Sequence, residues 1–179
     1  MTVRVGIIGA GIMGADHANT LARFVRGAEV SLIADVDQAR AVAAADVVGS
    51  RSSEDPAGLI EDPDVDAVVV ASPDPTHPDL LRRCAEAGKP VLCEKPLAPT
   101  FGEATTLTAD LAHATDMISL GFMRRFDPGY VDLKAALRSA LHGRPLLVHS
   151  TGRGVASGPG ATSETLVTNS AIHDLDIVP

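Results

Sequence analysis

The hexapeptide Gly9-Ala10-Gly11-Ile12-Met13-Gly14 lies between an apolar, β-branched run, Val3 to Ile8, and a segment with helical spacing. That strand–turn–helix context makes a glycine-rich loop a phosphate cradle rather than a merely flexible turn. Gly9 permits the tight turn, Gly11 lets the backbone approach a pyrophosphate without a Cβ in the way, and Gly14 lets the helix pack closely on the strand. The helix N-terminus, opened by Ile12 and Met13, supplies N–H groups and a partial positive charge for the anion. A second marker follows at Asp35, at the end of the next apolar run, where a carboxylate can accept hydrogen bonds from a ribose diol and would repel a 2′-phosphate. The pair predicts NAD rather than NADP, with Arg40 able to soften the choice; the plainer alternative for Asp35 is a helix cap beside Asp37.

Further β-branched runs at Val30 to Ala34, Ala67 to Ala71, Val91 to Cys93 and Met117 to Leu120 alternate with Ala- and Leu-rich helical segments. Continuously apolar strands alternating with helices predict an α/β fold, a doubly wound parallel sheet covered on both faces. Val47 to Val48 is the expected third strand. The character changes near Gly121, so residues 1–120 are read as a dinucleotide-binding Rossmann domain and 121–179 as part of a second α/β domain. In that second part a helix is expected at Val131 to Leu141 and a strand at Pro145 to Ser150. The Gly-, Ser- and Thr-rich loop Thr151 to Ser163 would cover a ligand, and Thr168 would cap a short helix.

Ligands of such sheets sit at the carboxyl ends of the strands. Ser72, at the end of the fourth strand, is a candidate cofactor contact there. Thr76 and His77 either join it or cap the helix that follows. Glu94 and Lys95 follow the fifth strand at the same edge, and Pro96 keeps Lys95 out of the next helix. Oxidation of a secondary alcohol needs a group that takes the hydroxyl proton, a task for a positioned lysine or histidine. Asn169, His173 and Asp176 are spaced i, i+4 and i+7, which puts them on one face of an α-helix. His173 could accept the proton, Asn169 could hold a hydroxyl, and Asp176 or Asp174 could orient the imidazole. No metal is expected, since no His or Cys set has ligand spacing.

A net charge of −8 with scattered Lys and Arg argues against nucleic acid and anionic membranes as partners. No apolar run approaches the roughly 20 residues of a membrane span and no signal core opens the chain, so a cytoplasmic location is expected. Cys84 and Cys93 lie inside apolar stretches and read as reduced core residues.

The ordered series GAGIMG, ADVD, ASPDPTH, CEKP, GFMRRFDPGY and NSAIHDLD resembles the Gfo/Idh/MocA oxidoreductases, particularly their inositol 2-dehydrogenase branch. The resemblance implies NAD-linked oxidation of a ring hydroxyl of a polyol or sugar. Lys95 and His173 would be the catalytic pair, with Asn169 where the branch commonly has Asp. Met123 and Arg124 would face the substrate, and the second domain would form the interface of a homo-oligomer. Members of the family are considerably longer, so the chain is expected to be truncated. Two other readings compete: a catalytically incomplete NAD-binding module, and a glycosidase of the same superfamily that retains and recycles NAD.

Overall fold

Apolar runs form strands where they can be buried on both faces, as residues 7–8, 32–34 and 68–70 are. The computed structural model describes residues 2–139, 143–152 and 166–177, with Asn169 described by its backbone only. Two compact units result, Met1–Gly121 and Phe122–Pro179.

In the first unit the strands are β1 (Val3–Ile8), β2 (Ala28–Ala34), β3 (Arg51–Ser53), β4 (Ala67–Val70), β5 (Val91–Cys93) and β6 (Ile118–Leu120). They pair in parallel, in the order β3-β2-β1-β4-β5-β6. The connecting helices are α1 (Ile12–Phe24), α2 (Gln38–Val48), α3 (Pro56–Glu61), α4 (His77–Glu86) and α5 (Phe101–Asp110). Helices α1 and α2 cover one face, where Ala18 and Ala45 pack on Val5, Ile7, Ile33 and Val69. Helices α3, α4 and α5 cover the other, where Leu59, Leu81, Cys84 and Leu107 pack on Ile8, Leu32, Val70 and Cys93. Gly6 faces this second layer: a Cβ there would stand 2.6 Å from Leu59 Cδ2, so β1 gives up a side chain to let α3 approach.

The register puts Ser53, Ala34, Ile8, Val70, Cys93 and Leu120 in one row across the sheet. The residues that follow continue the ladder: Gly9 N–H donates to Ala34 O at 2.8 Å, Glu94 N–H to Val70 O at 2.8 Å and Gly121 N–H to Cys93 O at 2.7 Å. Asp35, Gly9, Ala71, Glu94 and Gly121 therefore share the carboxyl edge. The strand order reverses between β1 and β4, which opens a crevice at that edge.

The expected third strand at Val47 to Val48 is corrected. Those residues finish α2, which ends at Gly49 with φ 73°, and β3 begins beyond the turn at Arg51, paired with Leu32. A three-residue polar edge strand leaves no apolar run to read.

In the second unit a 3₁₀ turn, Met123–Phe126, leads into α6 (Pro128–Arg138), capped by Asp127, which accepts from Gly129 N–H at 2.8 Å. The strand expected at Pro145 to Ser150 is absent. A strand exists only against a partner, and none lies beside it among the described residues. Residues 153–163 of the expected covering loop lie outside the described residues. Thr168 does not cap a helix: it lies inside a π-helical turn, Val167–Ala171, that runs into α7 (Ile172–Ile177). Among the described residues no helix is long and apolar enough to cross a membrane.

Two features of the first unit carry predictions. Arg4, at the start of β1, meets Asp66 at 2.8 Å and Asp64 at 2.6 Å. The Arg4 side chain, then its backbone N–H, hold the Asp66 carboxyl down at about 2. A carboxyl depressed from an unfolded value of about 3.9 stabilises above that value and loses the contribution as pH falls toward 2. Asp66→Asn is expected to flatten the Tm-versus-pH curve between those values and to change it little near neutrality. Burial pushes the Cys84 and Cys93 thiols up to about 12. Both are expected to resist a chromogenic disulfide reagent at mildly alkaline pH until denaturant is added; prompt titration of either in native protein would contradict the packing.

Candidate active site

The glycine loop separates into positions the fold requires and one it does not. Gly9 has φ 97°, and a Cβ there would stand 2.6 Å from Ser72 N, on the strand end across the crevice. A Cβ on Gly14 would overlap the carbonyl oxygen of Gly9. Gly11, in ordinary extended backbone, would meet nothing within 4 Å. It is also the N-cap of α1 and brings no side chain to bond the first-turn N–H groups. These donors, the open space over Gly11 and the exposed Ile12, 90% accessible, together fit the pyrophosphate of a dinucleotide. Met13 is likewise exposed.

Asp35 is buried, and its carboxylate performs a task that spacing did not reveal. Oδ2 accepts from Ala10 N–H at 2.8 Å and Oδ1 from Asp37 N–H at 2.8 Å, so it pins the glycine loop to the tip of β2. Arg40 Nη2 stands 3.3 Å from Oδ1, with its Nε 3.1 Å from Asp37. Asp37, not Asp35, caps α2.

At the end of β4, Thr76 donates its hydroxyl to Pro73 O at 2.7 Å, and the Ser72 hydroxyl lies 2.6 Å from Thr76 Oγ1. His77 opens α4. It has no exposed surface, and its Nδ1 and Nε2 face the carbonyls of Pro96 at 2.8 Å and Ser72 at 2.9 Å. Its ring joins the loops that follow β4 and β5, which makes it a positioning group.

Beyond β5, Glu94 faces His17 of α1, with Oε1 2.8 Å from Nε2. The His17 hydrogen bond, outweighing desolvation, holds the Glu94 carboxyl below its ordinary value. Lys95 follows, joined to Pro96 by a cis peptide bond. His17 carries no motif of its own in the sequence; only its place one turn beyond Gly14 could have flagged it.

In the second unit, His173 is buried on α7 with Phe122 edge-on, ring centroids 6.4 Å apart. Asp174 and Asp176, the groups expected to orient the imidazole, both meet arginines. Arg124 and the Ser150 hydroxyl donate to Asp174 at 2.6 and 2.7 Å, and Arg125 pairs with Asp176. Ser150 first, then Arg124, hold the Asp174 carboxyl below its usual range. Arg124 also lies over the Tyr130 ring, 5.6 Å from its centroid, and Met123 is exposed. Asn169 lies in the π turn and His173 in the first turn of α7. The Asn169 side chain lies outside what is described.

Comparison with known proteins follows this geometry. Residues 3–122 match Gfo/Idh/MocA, described as an oxidoreductase family with an NAD-binding Rossmann fold. The chain is 54% identical over 184 residues to inositol 2-dehydrogenase 2 of Paenarthrobacter aurescens, covering all of this chain and 55% of the relative. It is 47% identical over 179 residues to inositol 2-dehydrogenase 2 of Saccharopolyspora erythraea, covering 99% of this chain and 53% of that one. The crystal structure of myo-inositol dehydrogenase from Lactobacillus casei, in complex with NAD(H) and myo-inositol, has a TM-score of 0.86 at 32% identity, over 99% of this chain and 53% of that one. The chain thus spans about half the length of the curated relatives it matches.

Proposed function

The chain belongs to the Gfo/Idh/MocA oxidoreductases, a family with an NAD-binding Rossmann fold, and from that premise we propose that it serves an NAD-dependent dehydrogenase oxidising one secondary hydroxyl of an inositol-like cyclic polyol. The observation that carries the reading is the shared carboxyl edge: Gly9 and Glu94 stand in one row, two strands or ~10 Å apart, with Lys95 next along the chain. A pyrophosphate held over Gly11 by the α1 N–H groups directs the rest of a dinucleotide along that edge toward Lys95. Asp35 sits at the adenosine side of the crevice, on β2.

When bound, NAD supplies the hydride acceptor. Lys95 Nζ takes the hydroxyl proton as the carbinol C–H breaks, leaving a ketone. His173 is assigned to proton handling and Asn169 to a substrate hydroxyl by the family resemblance, with Met123 and Arg124 in the substrate-facing segment. The relatives' names, and the myo-inositol and NAD(H) of the L. casei complex, support the dehydrogenase over the glycosidase and the binding module.

The test is NADH formation across a panel of inositols and sugars. Oxidation of at least one inositol is expected; sugar release without net NADH, or NAD binding with no turnover of any compound, would defeat the reading. Asp35→Ala should show both tasks of that carboxylate. It removes the acceptor for Ala10 N–H, a loss of ~1–3 kcal/mol in stability, and leaves Arg40 to face a 2′-phosphate. Measured by calorimetry, the NADP-to-NAD affinity ratio should rise.

A further inference from the structure

We propose that His17 and Glu94 form a positioning pair that ties the helix of the glycine loop to the strand end bearing Lys95, and so aims the lysine. The inference rests on the proposed role of Lys95 as proton acceptor. His17 lies three residues beyond Gly14, on the helix whose N-terminus grips the pyrophosphate, and Glu94 immediately precedes Lys95. Their 2.8 Å contact spans the crevice from α1 to β5, between side chains only 23% and 15% exposed.

The surroundings are shaped for this carboxylate. A Cβ on Gly121, at the tip of β6, would stand 3.2 Å from Glu94 Cδ and from both its oxygens, so only glycine leaves the side chain its present place. The backbone N–H of Lys95 also helps to hold the Glu94 carboxyl below its ordinary value, after the His17 hydrogen bond. With Glu94 N–H in the sheet ladder at 2.8 Å from Val70 O, the residue is held at backbone and side chain together. Glu94 therefore acts through Lys95 rather than as a cofactor contact. A pair serving stability alone would need no such junction between the phosphate-gripping helix and the reacting amine.

The experiment compares His17→Ala, Glu94→Ala, the double variant and His17→Gln in the NAD-plus-myo-inositol assay, with Tm recorded for each. Loss of aim is expected to lower kcat by about 100-fold in each single variant, with KM for NAD unchanged within about threefold. The double variant should be no worse than either single one, since the pair acts as a unit. His17→Gln, whose amide can donate to Glu94 from nearly the same place, should recover kcat to within about tenfold of the parent. Unchanged kcat, additive losses in the double variant, or a glutamine variant as slow as the alanine one would overturn the proposal.

A second measurement needs no turnover: the rate at which an amine-reactive sulfonate labels Lys95, with and without NADH, followed by peptide mapping. Altered labelling in folded variants is expected, and labelling identical to the parent overturns the pair. Should the parent protein oxidise no polyol, the dehydrogenase reading fails alone and the labelling still decides the positioning pair.

Discussion

Gly11→Ala is expected to fold like the parent and to bind NAD poorly, whereas Gly14→Ala is expected to fail at the level of the fold. The contrast comes from what each added methyl meets. At Gly11 the backbone is ordinary and nothing lies within 4 Å, so the loss of stability should stay near the cost of exchanging glycine for alanine at an N-cap, about 1 kcal/mol. The methyl instead occupies the space proposed for the pyrophosphate, and an overpacking cost of ~1–3 kcal/mol corresponds to about a 5- to 150-fold loss of affinity. At Gly14 the methyl overlaps the carbonyl oxygen of Gly9, a backbone atom that cannot turn away. Separation of α1 from β1 should then cost about 3 kcal/mol or more, a fall in Tm of roughly 10 °C. Thermal melts and calorimetry with NAD check both arms. NAD bound by Gly11→Ala with parental affinity would remove the cradle from the account, and an unshifted Tm in Gly14→Ala would contradict the packing.

Lys95→Ala is expected to lower kcat by about 10³-fold or more, within the span of positioned acid–base catalysis, while the Kd for NAD stays within about threefold. Binding should persist because the grip proposed for the dinucleotide lies with the α1 N–H groups, two strands away, and with Asp35, three strands away. Lys95→Arg separates proton transfer from charge: its guanidinium keeps the cation but does not give up its proton, so it should be as slow as the alanine variant. An arginine variant within about tenfold of the parent would show that the residue works by electrostatics alone. A small primary amine added to Lys95→Ala should restore part of the rate, followed by NADH absorbance.

The strands Val3–Ile8 and Val91–Cys93 were legible because a run of β-branched residues buried on both faces has no other stable use. β3, Arg51–Ser53, was not: an edge strand is polar on its open side, and its place was set by pairing with Leu32 to Ala34 rather than by its own pattern. The expected strand at Pro145 to Ser150 had the pattern but no partner among the described residues. Among site residues, the three loop glycines and a separate task for each were read from their flanks. The distances behind those tasks came only with the structure: Ser72 N crowds a Cβ at Gly9, Gly9 O crowds one at Gly14, and nothing lies within 4 Å of one at Gly11.

The sequence by itself determined the alternation of strands and helices, the glycine turn between the first pair, and the presence of Lys95 at a strand end, because these depend on periodicity and backbone freedom over a few residues. Tertiary structure alone decided partners. Glu94 meets His17 across 77 positions of chain, Asp35 receives Ala10 N–H across 25, and the His77 ring lies between two carbonyls. The physical reason is that a hydrogen bond forms within a few tenths of an ångström, and such distances follow from strand order and register, which set β4, with β5 beyond it, beside the non-consecutive β1. No local pattern in the chain encodes that adjacency.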